Sequence, residues 1–122
     1  MNQPLASCAG NAIEMANKDF SKVKIVVNGA GAAAISCTRL YVRLGAKIEN
    51  IVMCDSKGVI RKDREKLDAT KLLFATDRNL NSLAEAMNGA DVFVGLSIAD
   101  IVTPKMLRSM ADNPIVFALA NP

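Results

Sequence analysis

A chain of 122 residues has room for one domain with a true core, because a domain of this size buries roughly two-thirds of the surface its unfolded chain exposes. A composition that is 51% hydrophobic and 22% charged excludes intrinsic disorder. The net charge of +3, from 15 Lys and Arg against 12 Asp and Glu, is too weak and too spread for a nucleic-acid footprint, and 4% aromatic residues leave little for base stacking.

In chain order, Leu5, Cys8, Ala12, Ile13 and Ala16 recur at helical spacing, which predicts a helix from Pro4 to Lys18. The β-branched run beginning at Val23 and ending at Asn28-Gly29 predicts a first strand, buried on both faces. Ala32 to Leu44 reads as a helix with Ala33, Cys37, Leu40, Tyr41 and Leu44 on its apolar face, stopped by Gly45. Ile51 to Asp55 is a second buried strand. Ser56 to Leu67 is polar and turn-like, with Val59-Ile60 offering a small strand. Asp68 caps a short helix through Phe74, and Ser82-Leu83-Ala84-Glu85 is a capping box whose helix Gly89 ends. Asp91 to Leu96 is a third strand. Thr103-Pro104 opens a helix to Met110, and Ile115 to Leu119 is a fourth strand.

Strands alternating with helices predict an α/β fold with a parallel sheet and helices on both faces. The chain has no histidine, which excludes Ser-His-Asp and Cys-His catalysis and His-ligated metals within it. Cys8, Cys37 and Cys54 make an odd count without CxxC spacing, which argues against a disulfide framework or zinc site and for a reducing, cytoplasmic compartment. No apolar run approaches the roughly 20 residues of a membrane span, and the N-terminus lacks the order of a signal peptide, so no membrane partner is expected.

One motif carries chemistry. Gly29-Ala30-Gly31-Ala32-Ala33-Ala34 fits G-x-G-x-x-A between a strand and a helix. Gly29 permits the tight turn, Gly31 lets a pyrophosphate approach the backbone, and Ala34 allows close helix–sheet packing. The helix N-terminus offers free N–H groups and partial positive charge to that pyrophosphate. Asp55 ends the second strand, from which a carboxylate reaches an adenine-ribose hydroxyl. The expected fold is therefore a Rossmann-like open sheet. Its strands take the spatial order second-first-third-fourth, with a ligand crevice at the switch point beside Gly29 and Gly95.

Several residues keep two readings. Lys57, Arg61 and Lys62 either meet the 2′-phosphate of NADP or form a solvated charged loop. Cys54 is a reactive thiol or a small core residue. Ser97 and Asn121, after the third and fourth strands, serve a ligand at the carboxyl edge of the sheet or satisfy turn backbone.

Four segments together resemble the dinucleotide-binding domain of bacterial malic enzymes. These are Val26-Val27-Asn28-Gly29-Ala30-Gly31-Ala32-Ala33, Met53-Cys54-Asp55-Ser56-Lys57-Gly58-Val59-Ile60, Gly89 to Ser97, and Phe117-Ala118-Leu119-Ala120-Asn121-Pro122. They occur in the family's order and span nearly the whole chain. The resemblance implies oxidative decarboxylation of malate to pyruvate and CO₂, with NAD or NADP taking the hydride and Mg²⁺ or Mn²⁺ polarising the ketone. It implies that Gly29, Ala30, Gly31, Ala32 and Ala33 hold the pyrophosphate. Asp55 would hold the adenosine ribose, and Ser56 and Lys57 beside it are expected among the cofactor-binding residues. Gly95 and Ser97 would line the nicotinamide side, and Asn121 would lie near the nicotinamide ribose and substrate.

The family's acidic metal-binding segment and its upstream catalytic Lys and Tyr do not occur here. Residues 1–122 are thus expected to be an NAD(P)-binding domain that binds cofactor without catalysing, with no metal ligands of its own, and to self-associate through exposed apolar surface. A nucleotide-sensing regulatory module of the same fold and the cofactor domain of another dehydrogenase remain as alternatives. The choice between NAD and NADP stays open.

Overall fold

The computed structural model describes residues 18–29, 31–95 and 102–118. The helix expected from Pro4 lies, apart from Lys18, outside the described residues. Four strands form the parallel body of one sheet: β1 (Ile25–Asn28), β2 (Ile51–Asp55), β4 (Val92–Gly95) and β5 (Ile115–Ala118). Their spatial order, β2-β1-β4-β5, is the order expected. A fifth, short strand, β3 (Gly58–Val59), turns back antiparallel on β2 and forms the sheet edge. The third strand starts at Val92 rather than Asp91, because the Asp91 and Val92 N–H groups both donate to the Lys24 carbonyl and the Asp91 carboxylate accepts the Lys24 N–H.

The β3 hairpin follows from its sequence. Ser56-Lys57 is a two-residue turn, and the Asp55 carboxylate fixes it by accepting the Lys57 N–H at 2.9 Å. Gly58 then takes a φ of +105°, which side chains rarely adopt, and a Cβ there would lie 2.7 Å from the Asn81 carbonyl oxygen. Gly58→Ala is expected to destabilise the fold by about 1–3 kcal/mol through strain and backbone collision. A denaturant titration checks this, and an unchanged midpoint would refute it.

Alternation along the buried strands sorts their side chains onto two faces. Ile25, Val27, Ile51, Met53, Val92 and Val94 face α1 (Ala32–Arg43) through Ala34, Cys37 and Tyr41, with Phe74 beside them at the end of α2 (Ala69–Leu73). Val26, Val52 and Phe93 face Ala86 and Met87 of α3 (Leu83–Met87) and the residues around α4 (Pro104–Arg108), notably Val102 and Met110. Helices therefore cover both faces, as a parallel sheet requires.

The helix signals perform as the sequence predicts. Asp68 accepts the Lys71 N–H, Ser82 and Glu85 form a reciprocal capping box, and Thr103 accepts the Met106 N–H ahead of Pro104. Gly45, at φ +118°, ends α1: its N–H donates to the Val42 carbonyl while the Ala46 N–H donates to that of Tyr41. Of the described cysteines, Cys37 of α1 is buried in the core and Cys54 is a free, buried thiol. No described helix is long and apolar enough to cross a membrane.

Candidate dinucleotide site

The parallel registers bring the predicted residues together. Asn28, the last residue of β1, pairs with Cys54 of β2 on one side and Gly95 of β4 on the other. The turn after β1, Asp55 at the end of β2 and Gly95 at the end of β4 therefore share the carboxyl edge of the sheet, at the strand where the order reverses. Ala30, Ser97 and Asn121 lie outside the described residues.

Gly29 has a φ of +130° and anchors the turn by donating its N–H to the Cys54 carbonyl at 2.7 Å. Gly31 is the N-cap of α1 in extended conformation, with no side-chain cap and no acidic residue in the first turn. A Cβ built on Gly31 would meet nothing within 4 Å. Packing among the described residues therefore gives no reason for its missing side chain, and the space lies beside first-turn N–H groups of a twelve-residue helix whose N-cap offers no side chain. Ala32 is exposed and Ala33 half-buried in that first turn. Ala34 is buried and its carbonyl accepts the Thr38 hydroxyl, so the close helix–sheet contact is made as predicted.

Gly95 has a different cause. A Cβ there would lie 2.9 Å from the Phe93 ring, so its small size serves packing at the end of β4.

Asp55 is the electrostatic centre of this edge. Its Oδ1 accepts the Lys57 N–H, while its Oδ2 accepts from Arg64 at 2.6 Å and Lys71 at 3.2 Å. Burial alone would push this carboxyl up. The Arg64 bond, the Lys57 amide and the Lys71 ammonium outweigh burial and hold it at about 2. Because the folded value lies below the ordinary 3.8, the ionised carboxylate stabilises the native state above about pH 4. That contribution is lost as pH falls from about 4 towards 2. Denaturant midpoints should drop across this window, and Asp55→Asn should flatten the drop.

Cys54 sits beside it in the core, where burial, aided by the Asp55 charge, pushes the thiol up to about 12. This favours its reading as a small core residue over a reactive thiol.

These features are those of a dinucleotide-binding βαβ unit, and comparison with known proteins decides among families that use one. Residues 5–122 match the family described as "Malic enzyme, NAD binding domain". The chain belongs to this family. It is 52% identical over 92% of its length to an NADP-dependent malic enzyme of Halomonas elongata, covering 26% of that protein. It is 45% identical over 97% of its length to an NAD-dependent malic enzyme of Rhizobium meliloti, covering 16% of it. The crystal structure of the NAD-dependent malic enzyme of Thermotoga maritima superposes with a TM-score of 0.79 at 32% identity, over 98% of this chain and 33% of that one. The chain thus spans a third or less of the length of these relatives.

In this malic enzyme NAD-binding domain, two site residues went unforeseen. Arg64 and Lys71, nine and sixteen residues beyond Asp55, converge on its Oδ2. The alternation of charges from Arg61 to Lys66 pointed to a basic loop but not to its target. The cations singled out instead behave differently. Arg61 is held by Asn79, Asn81 and Asp63, whereas Lys62 reaches only the exposed Asp77, at 3.9 Å. Lys57 is exposed and, with Arg61, Arg64 and Asn81, lines an open depression of about 390 Å³ next to Asp55.

Proposed function

We propose that this NAD-binding domain serves an enzyme that oxidises malate to pyruvate and CO₂, and that the 122-residue chain binds NAD or NADP without catalysing that reaction. The observation that carries the reading is the open space over Gly31, at the uncapped N-terminus of α1 and on the same sheet edge as Asp55. A pyrophosphate in that space would accept from the first-turn N–H groups of α1 and gain from the helix dipole. Asp55 Oδ1, which has one N–H partner, keeps capacity to accept from a ribose hydroxyl. When bound, the nicotinamide supplies the hydride acceptor.

Malate chemistry needs a proton acceptor and a divalent metal. The described residues offer no group of three or more acidic or thiol side chains that could hold a metal ion, and Asp55 Oδ2 already carries two cations. Asn121 is proposed as the substrate-proximal residue and Ser97 as a nicotinamide-side one.

Calorimetric titration of the chain with NAD and with NADP tests the reading. Saturable binding of at least one is expected, together with no reduction of either when malate and Mg²⁺ are added. Binding of neither dinucleotide, or turnover by the pure chain, would overturn it. Self-association belongs to the same proposal: β5 lies at a sheet edge with Val116 38% exposed. Sedimentation should therefore detect a species larger than the monomer as concentration rises, and a monodisperse monomer would count against it.

A further inference from the structure

The relatives do not decide between cofactors, since malic enzymes named for NADP and for NAD match at 52% and 45% identity. The charge arrangement at Asp55 bears on the choice. Arg64 grips the carboxylate and the hairpin together: one guanidinium nitrogen donates to Asp55 Oδ2 at 2.6 Å, and the other donates to the Val59 carbonyl at 2.9 Å and the Gly58 carbonyl at 3.4 Å. Anchored at both ends, the guanidinium cannot swing away from the acid without giving up its backbone bonds. With Lys71 on the same oxygen, one negative and two positive charges leave the trio with one net positive charge. An unpaired carboxylate at the end of β2 would repel a 2′-phosphate while accepting a 2′-hydroxyl. Here the acid is over-neutralised on Oδ2, and Oδ1 faces no side-chain cation among those paired with Asp55.

We propose that Arg64 is a specificity-determining positioning residue: by clamping Asp55 Oδ2 to the β3 carbonyls it cancels the repulsion a bare carboxylate would exert, so that the site admits NADP as well as NAD. The proposal rests on the dinucleotide reading above and adds to it the basis of cofactor choice.

The test compares dissociation constants for NAD and NADP in the wild-type chain and in Arg64→Met, Arg64→Gln and Arg64→Lys, with circular dichroism as the check on folding. Arg64→Met should weaken NADP by about tenfold or more and NAD by less than about threefold, because the Asp55 charge that Arg64 cancels would then repel the phosphate-bearing cofactor. Arg64→Gln, which keeps a donor for the hairpin carbonyls without the charge, should shift the ratio in the same direction and carries the test if the methionine variant fails to fold. Arg64→Lys should restore the wild-type ratio. Equal weakening of both cofactors, an unchanged ratio in Arg64→Gln, or failure of lysine to rescue would overturn the role of Arg64 while leaving the dinucleotide reading intact. A wild-type chain that binds neither cofactor would overturn both.

Discussion

Gly31→Val is expected to abolish dinucleotide binding and leave the fold standing. The backbone at Gly31, φ −80° and ψ −177°, is extended and open to any residue. An added Cβ has no neighbour within 4 Å among the described residues, so the first atom of a side chain finds room there. Its structural cost is that of a poorer N-cap, about 1 kcal/mol. The ligand, by contrast, loses the space in which its phosphates would meet the α1 N–H groups. Displacing a phosphate from even two charge-assisted bonds, at about 1.5–3 kcal/mol each, weakens binding by more than about a hundredfold. Calorimetry should detect no heat at concentrations that saturate the wild type, while the thermal midpoint moves by only a few degrees. Retained binding would mean that the pyrophosphate does not sit at Gly31. Gly95 is the useful contrast: there a Cβ strikes the Phe93 ring, so substitution acts on folding first.

Asp55→Asn should separate the two cofactors. In the proposed complex the carboxylate would accept a ribose hydroxyl as a charge-assisted bond worth about 1.5–3 kcal/mol, so NAD should weaken about tenfold or more. NADP should hold or gain, because the same change removes the only negative charge of the Asp55–Arg64–Lys71 trio. The variant should also be less stable near neutral pH, since both cations lose their ionic partner. Parallel titrations with the two cofactors provide the check. Equal losses would show that Asp55 shapes the edge without reading the ribose.

The order of the parallel strands and the side-chain caps at Asp68, Ser82 and Thr103 could be read from the sequence, for a local reason in each case. Buried β-branched runs mark parallel strands, and Ser82-Leu83-Ala84-Glu85 or Thr103-Pro104 states a helix start within four residues. Gly29, Gly31, Ala34 and Asp55 were readable because a phosphate-binding turn fixes their spacing along the chain. Arg64 and Lys71 were not. Their approach to Asp55 depends on how the β3 hairpin and the following crossover fold back, a tertiary outcome that no short-range spacing encodes. Gly95 has in addition a packing cause that the motif does not state, the Phe93 ring two residues earlier on the same face.

The short β3 strand has a geometric consequence for the whole sheet. Its outward backbone is occupied: the Val59 N–H donates to the Asn81 carbonyl, and the Gly58 and Val59 carbonyls accept from Arg64. A docking strand would find no ladder to extend on that flank. Among the described residues the opposite flank, β5, has a strand neighbour only in β4. Growth by strand addition is thus one-sided. Two copies meeting through β5 would close as a symmetric pair with no second edge among the described strands to offer, whereas a filament needs two sticky edges per unit.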